Sequence, residues 1–354
     1  MDDIERFLEE KKQDIDDVIR KYIPDKISPE YMDRMIGRAR HDYDLDAINS
    51  ALTEPVWDFL SRGGKRWRPA LFMLIAEALG ADMKKARDFA MVPELAHNGS
   101  IMVDDVEDSG EMRRGKPCTH KIYGVDIAIN AGNLMYFLPM LAFMKNKESF
   151  DDKTMLRAYE VFAQEMINIH FGQGLDIWWH KGGSENVTEG QYMQMCACKT
   201  GTLARMAARL AVVIAGGTRE QEEKIGRIAE SIGVAFQIQD DVLSASGSEF
   251  QKRKGYGDDI TEGKRTLMVI HTLNKASDKD RKRLIEILDM HTREPKLIGE
   301  AIALLNRHGS IEYAKRAARK IVNDAWSDAE SLLPESDAKE KLSSFVDFLI
   351  ERKI

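Results

Sequence analysis

Cysteine is scarce in this chain, with Cys118, Cys196 and Cys198 the only three in 354 residues. So small and odd a set argues against a disulfide framework and fits a reducing compartment. Cys196-Ala-Cys198 has neither CxxC spacing nor the makings of a zinc site, and on a helix its thiols point roughly 200° apart. Proline is sparse too, nine in all, and Pro24, Pro29, Pro69, Pro117 and Pro295 fall where helices would start or stop. Apolar–polar alternation bounded by hairpin turns is convincing nowhere, so no strand is expected. No apolar run approaches the roughly 20 residues of a membrane helix, Leu134–Met144 being far too short. The acidic N-terminus Met1-Asp-Asp-Ile-Glu-Arg lacks the basic and apolar zones of a secretory signal. Positive charge is not in excess: 52 Lys and Arg stand against 59 Asp and Glu, a net charge of −7, which gives no support for nucleic-acid binding. These absences predict a cytoplasmic protein without transmembrane segments.

What is present is helical. With 43% hydrophobic and 31% charged residues the chain has ample core for a globular protein. Apolar residues recur at helical spacing in Ile4–Tyr22, Leu71–Leu79, Met155–Phe171, Leu203–Ile214, Lys224–Leu243 and Ile311–Leu333. Ser61-Arg-Gly63-Gly64, Gly182-Gly183 and Gly216-Gly217 read as helix ends or turns. No repeat or low-complexity linker marks a boundary. The expectation is an all-α protein, with residues 1–50 a charged N-terminal helical extension and 51–354 one continuous domain.

The most informative stretch is Ser100-Ile-Met-Val-Asp-Asp-Val-Glu-Asp-Ser109, followed at once by Arg113-Arg114-Gly-Lys-Pro. On a helix Asp104 and Asp108 are i,i+4 neighbours on one face. Two hard oxygen donors a turn apart suit Mg²⁺, which shares its sites between carboxylates and substrate phosphates. The paired arginines supply planar forks for phosphate oxygens. An acidic cluster by itself is most often a solvated helix face. A second pair, Asp240-Asp241, changes that weighing, because it also ends an apolar run, Gly233-Val-Ala-Phe-Gln237-Ile-Gln. Facing each other, the two pairs would cage more than one Mg²⁺ and a diphosphate.

Other stretches add cations. Gly63-Gly64-Lys65-Arg66-Trp67-Arg68-Pro69 joins a flexible turn to charges at several angles, so Lys65 and Arg68 are candidates for a second phosphate group, against a plain helix cap with surface charge. His97 falls two turns before Asp104 on the same face, where a histidine is either a satisfied core residue or a donor to that diphosphate. Gly201 in Lys199-Thr200-Gly201-Thr202 costs about 1 kcal/mol relative to alanine, so a bend there would let Lys199 and Thr200 reach into a pocket. Asp259-Ile-Thr-Glu-Gly-Lys264-Arg265-Thr266 is not a P-loop: its spacing from Gly257 is one too long, Arg265 stands where Ser or Thr is required, and no strand precedes it. Lys264 alone, set against a diphosphate, is the better reading.

As a set these residues resemble the trans-isoprenyl diphosphate synthases, the polyprenyl synthetase family. DDxxD matches Asp104-Asp105-Val-Glu-Asp108, RRG matches Arg113–Gly115, and GGKRxRP matches residues 63–69. The KT pair matches Lys199-Thr200, FQxxDD matches Phe236–Asp241, and D-x-x-x-G-K runs from Asp259 to Lys264. The motifs span about residues 50–350 in the family's order. Ile129–Phe137 and Gly172–Trp179 look closest to the geranylgeranyl-type members. One position departs: Ser244 stands where the second motif usually ends in aspartate, for which a modest loss of Mg²⁺ affinity is expected.

The resemblance implies an all-α helical bundle around a central prenyl-binding cavity, a homodimer, and three Mg²⁺ per active site with substrate bound. It implies that Asp104, Asp108 and Asp240 hold the metal, and that Lys199 and Lys264 complete the catalytic set. Arg113, Thr200 and Gln237 would help grip an allylic diphosphate, with Lys254 assisting, while Lys65, Arg68, His97 and Arg114 hold isopentenyl diphosphate. Gly99 lies five residues before Asp104, about 7.5 Å down the helix, and Ala96 lies deeper. In short-chain members an aromatic closes the floor at the Gly99 position, so the product here is expected to be C20 or longer, geranylgeranyl or geranylfarnesyl diphosphate. Two rivals stand beside this: a class I terpene cyclase, and a non-catalytic partner subunit of a prenyl synthase. Consumption of isopentenyl diphosphate separates them.

Overall fold

The computed structural model describes residues 3–183, 186–245 and 257–351, with side chains assigned except at Asp3, Ala329 and 349–351. The chain divides into two compact units. The first comprises the chain up to Ala163 with Met206–Glu222 and Pro334–Leu342; the second comprises Gln164–Arg205, Glu223–Leu333 and the chain from Ser343 onward.

The helices of the N-terminal half are α1 (Asp3–Tyr22), α2 (Pro29–Met35), α3 (Leu45–Ile48), α4 (Glu54–Ser61), α5 (Trp67–Ala78), α6 (Met83–Ala86), α7 (Met91–Glu107), α8 (Thr119–Tyr123), α9 (Val125–Phe137), α10 (Met140–Asn146) and α11 (Asp152–Trp178). Those of the C-terminal half are α12 (Glu189–Cys196), α13 (Thr202–Ile214), α14 (Arg219–Ala245), α15 (Asp258–Thr261), α16 (Leu267–Lys275), α17 (Asp278–Asp289), α18 (Pro295–Arg307), α19 (Ser310–Ala329) and α20 (Asp337–Glu351). The fold is all-α, as expected from the helical periodicity. Proline acts as a start signal at α2 and α18, where it costs no hydrogen bond.

The first unit is built around α5 and α7. Helix α5 buries Leu71, Phe72, Leu74 and Ile75 on all sides, as a core helix must. Helix α7 packs on α9 closely enough that neither side tolerates a methyl group. A Cβ on Gly99 would lie 2.7 Å from the Gly132 carbonyl oxygen, and one on Gly132 would lie 2.8 Å from Val103 Cγ2. The N-terminal residues are knitted into this core. Helix α1 buries Ile15, Val18, Ile19 and Tyr22. The Tyr22 hydroxyl donates to Asp88 at 2.6 Å, and Trp57 Nε1 donates to the Ile23 carbonyl at 3.1 Å.

One expectation needs correction. A short antiparallel hairpin pairs β1 (Met112–Arg113) with β2 (Lys116–Pro117), in the register Met112↔Pro117 and Arg113↔Lys116. Arg114 and Gly115 form its tip at φ 53° and 77°, both left-handed, as a two-residue type I′ turn requires. Two-residue strands are too short to show alternation, which is why periodicity missed them. Among apolar runs, Val125–Ser149 holds an 18-residue window apolar enough by composition to cross a membrane, although half of that window is buried inside the protein.

The second unit owes its close packing to glycine. Helix α11 meets the turn before α13 at Gly172, where a Cβ would fall 2.2 Å from the Lys199 backbone nitrogen. Gly233 of α14 lies against Gly201, its Cβ position 2.6 Å from Gly201 Cα. The bend expected at Gly201 is a π-helical turn over Ala197–Gly201, a form that often marks functional sites. Glu165, fully buried, accepts hydrogen bonds from Thr202 and Arg205 (2.5 and 2.8 Å), and Arg205 also pairs with Glu230.

Candidate active site

In the first unit α7 carries the first acidic motif on its last turn. The Asp108 amide donates to the Asp104 carbonyl at 2.9 Å, so the two carboxylates rise from consecutive turns. Both are partly exposed, whereas Asp105 between them is buried at 1%. Asp105 is spent on Arg113: its Oδ1 lies 2.7 Å from Nε and 2.5 Å from Nη2. Burial disfavours the Arg113 cation, but the Asp105 charge and hydrogen bond outweigh it and raise the guanidinium above its ordinary range. Asp104 lies 3.9 Å from the same guanidinium.

Beside this cluster is a cationic nook. Arg68 is buried, its guanidinium 4.3 Å over the Trp67 ring, and Arg114 lies 4.9 Å over Phe59. Arg114 Nη2 donates to Asn98 Oδ1 at 3.0 Å, while its Nη1 is buried with no hydrogen-bond partner among the described residues. Burial pushes Arg114 down to about 10, which leaves it charged at neutral pH. His97 is held well below the usual histidine range by burial and then by the charges of Arg68 and Arg114, so it is a neutral donor. Lys65 is exposed at the loop surface. A buried guanidinium with an unmatched N–H is costly unless an anion completes it.

In the second unit a hydrogen-bond chain links the KT and FQxxDD motifs. The Thr200 hydroxyl donates to Gln237 Oε1 at 2.8 Å, Gln237 Nε2 donates to Asp241 Oδ1 at 2.8 Å, and the Tyr192 hydroxyl donates to Asp241 Oδ2 at 2.7 Å. Asp241 is buried, and burial together with the charge of Asp259 pushes its carboxyl up to about 8. Asp240, next to it, is only half-buried. Lys199 pairs with Asp176 at 2.5 Å, and Lys264 pairs with Glu262 and, at 3.5 Å, with Asp259. Ser244 lines a narrow cavity with Asp241, Asp259 and Thr266. Lys254 lies outside the described residues.

The donor chemistry fits Mg²⁺. Asp104, Asp108 and Asp240 offer hard carboxylate oxygens. Among the described residues no point gathers three His, Cys, Asp or Glu.

Asp105, named from sequence only as part of the acidic cluster, stands behind Arg113, and three further partners were not singled out: Asp176 behind Lys199, Tyr192 behind Asp241, and Asn98 behind Arg114. The Asn98–Arg114 and Tyr192–Asp241 pairs are 16 and 49 residues apart, and no motif flags them. Beside Gly99 stand Gly132, Met135 and Tyr136 of α9, and Ala96 is fully buried.

The polyprenyl synthetase family profile matches residues 49–305. The chain belongs to the polyprenyl synthetase family. It is 35% identical over 337 residues to a short chain isoprenyl diphosphate synthase of Methanothermobacter thermautotrophicus, covering 95% of this chain and 98% of the relative. It is 33% identical over 298 residues to a geranylfarnesyl diphosphate synthase of Aeropyrum pernix, covering 83% and 92%. The crystal structure of a geranylgeranyl pyrophosphate synthetase from Pyrococcus horikoshii superposes with TM-score 0.85 at 31% identity, covering 99% of this chain and 98% of that one. This polyprenyl synthetase is thus a prenyltransferase of the all-α isoprenoid synthase fold, in a family whose Mg²⁺ dependence is general.

Proposed function

We propose that the enzyme joins isopentenyl diphosphate head-to-tail to allylic diphosphates, giving an all-trans polyprenyl diphosphate of C20 or longer, geranylgeranyl or geranylfarnesyl diphosphate. The observation that carries this reading is the cationic nook of Arg68, His97 and Arg114, with a buried unmatched N–H on Arg114. A terpene cyclase has one diphosphate to bind and the carboxylate cluster would suffice; a second anion site implies a second diphosphate substrate. Intact Asp104, Asp108, Asp240 and the arginine pair likewise speak against a non-catalytic subunit.

In this reading Asp104, Asp108 and Asp240 are the carboxylates for Mg²⁺, three ions when substrate is bound. Bound Mg²⁺ supplies Lewis-acid stabilisation of the charge that builds on departing pyrophosphate. Arg113, held by Asp105, and Lys199, Gln237 and Lys264 hold the allylic diphosphate. Its C1–O bond breaks, and the electron pair leaves on pyrophosphate. The double bond of isopentenyl diphosphate, whose own diphosphate rests on Lys65, Arg68, His97 and Arg114, attacks the allylic C1. Loss of a proton from C2 of the new unit completes one five-carbon extension.

Chain length is bounded in this reading by side chains of α9 rather than by the position of Gly99 itself. Tyr136 borders Gly99, its Cδ1 3.4 Å from the Cβ position, whereas Phe137 is 66% exposed. The enzyme is also proposed to be a homodimer. In the second unit Ile167, Phe171, Leu175 and Trp178 of α11 form an exposed stripe at helical spacing, of the kind that marks protein contacts.

Product analysis tests the reading. Purified enzyme receives Mg²⁺, labelled isopentenyl diphosphate and, separately, C5, C10, C15 and C20 allylic primers, and dephosphorylated products are sized. A series ending at C20 or C25 is expected. No incorporation from any primer by folded protein sinks the elongase reading, and a cyclic or hydroxylated product from one primer alone supports the cyclase.

A further inference from the structure

Arg66 is the one cation of the Gly63–Pro69 loop that the substrate reading leaves unused. It is 3% exposed and left-handed, at φ 50°. All three guanidinium nitrogens are engaged inside the protein: Nε donates to Asp16 Oδ1 of α1 at 3.0 Å, Nη1 to Glu94 Oε1 at 2.9 Å, and Nη2 to the Leu60 carbonyl at 2.8 Å. Glu94 Oε1 also accepts from Asn98 Nδ2 at 2.8 Å, and Asn98 Oδ1 accepts from Arg114 Nη2 at 3.0 Å. One continuous relay thus runs Asp16–Arg66–Glu94–Asn98–Arg114, from the N-terminal helix to the guanidinium of the nook whose Nη1 is unmatched.

We propose that Asp16 is a positioning residue for isopentenyl diphosphate, acting through Arg66 on the neighbouring Lys65 and Arg68 and, along the relay, on Arg114. The inference rests on reading the nook as the isopentenyl diphosphate site. Its physical basis is charge and geometry. Around neutral His97, Arg66 shares a buried neighbourhood with Arg68, Arg113 and Arg114, and like charges there repel. Asp16 and Glu94 are the anions that make Arg66 tolerable in that company. Their opposing charges hold its guanidinium above the ordinary range against the pull of burial. The loop also closes over the fixed guanidinium: at Gly64, φ 136°, a Cβ would lie 3.1 Å from Arg66 Nη1 and 3.6 Å from Arg114 Cζ. With Asp16 neutral, Arg66 loses a charge-assisted bond. Its bonds to Glu94 and the Leu60 carbonyl remain, so the residues on either side of it are held less firmly rather than released. The first helix therefore has a role in substrate binding although it contributes no ligand.

The test uses Asp16→Asn, nearly the same size but uncharged. Isopentenyl diphosphate does not react without an allylic partner, so its affinity is measured directly by calorimetry, and steady-state kinetics follow. Expected is a rise of about 5- to 20-fold in both Kd and KM for isopentenyl diphosphate, the size set by one charged hydrogen bond partly transmitted. The KM for the allylic primer and kcat at saturation stay within twofold. Asp16→Glu, which keeps the charge, restores most of the affinity. Asp17→Asn, whose side chain accepts from Gln13 at 2.7 Å on the exposed face, leaves it unchanged. Wild-type affinity in Asp16→Asn overturns the inference, and so does a loss shared equally by both substrates with a lowered melting temperature. Lys65→Ala and Arg68→Ala, run alongside, test the parent reading separately. If they bind isopentenyl diphosphate normally, the nook is not its site, whatever Asp16→Asn does.

Discussion

Replacing Gly172 with alanine adds one methyl group where a Cβ has the least room of any described glycine. The new Cβ would lie 2.2 Å from the Lys199 nitrogen, 2.6 Å from the Cys198 carbonyl carbon and 2.7 Å from Lys199 Cα. All three are backbone atoms, so no side chain can swing aside. Ordinary contact begins at 3.4 Å, which means the π turn and α11 must part by about 1.2 Å. Overpacking against side chains costs about 1–3 kcal/mol, and against backbone the upper end applies. At about 1.3 °C per kcal/mol for a chain of this size, the melting temperature drops by roughly 3–4 °C. The functional effect is larger. Lys199 sits on the displaced turn, while its partner Asp176 is one helical turn along α11 from Gly172, so the shift opens the pair itself. An ångström of misplacement costs about 100-fold in rate. Differential scanning calorimetry and single-turnover kinetics on the same preparation read both numbers. Unchanged melting with wild-type turnover would show that the close approach is not required and that Lys199 is not placed by it.

Asp104→Ala is expected to remove most activity while leaving circular dichroism and melting near wild type, since Asp104 is partly exposed; a folded variant with full turnover discards the proposed metal role. Ser244→Asp should lower the Mg²⁺ concentration at half-maximal rate, and superimposable Mg²⁺ titrations would leave Ser244 irrelevant to metal affinity. Glu222 gives a pH prediction. Burial tends to raise its carboxyl, but hydrogen bonds from Arg157 and Arg209 outweigh that and depress it below 4.5. A depressed carboxylate contributes stability that is full above the unfolded value and lost as pH falls through the folded one. Melting temperature should therefore fall steeply below about pH 4.5, and Glu222→Gln should flatten that slope; parallel acid melts of the two proteins would contradict it. Gly99→Phe should destabilise the α7–α9 crossing by about 3 kcal/mol or more before it alters product length, and a variant with wild-type melting and shorter product would return the floor to Gly99.

The helices and the motif residues were legible in the chain because both are local. Periodicity over Ile4–Tyr22 and Lys224–Leu243 lies wholly within α1 and α14, and the aspartate and arginine motifs are contiguous. What could not be read is what contiguous patterns do not encode. Gly172 and Gly233 look like ordinary helix glycines until the turn that presses on them is in place. Asp16 and Arg66 stand 50 residues apart, and nothing in an acidic first helix distinguishes the one carboxylate that turns inward. The close approach of Gly99 to Gly132 was not legible for a related reason, since it depends on where α9 lies. The β1–β2 hairpin escaped because Arg114-Gly115 is an uncommon pair at a type I′ turn, where asparagine or aspartate before glycine is the usual signal.

That hairpin tip has company. Among the described residues the non-glycine positions with left-handed backbone are Arg66, Ser109, Arg114 and His291, and three of the four fall in the two loops that carry the basic motifs. Each holds a conformation that costs a non-glycine residue about 1 kcal/mol or more. Glycine relieves that strain, but what it takes away differs from loop to loop. At Arg66 it would strip Asp16 and buried Glu94 of their partner, a loss larger than the strain relieved. Heat tolerance and substrate affinity therefore favour the same residue at Arg66 and are opposed at Arg114, and Ser109 is the position of the three where laboratory evolution has room to move.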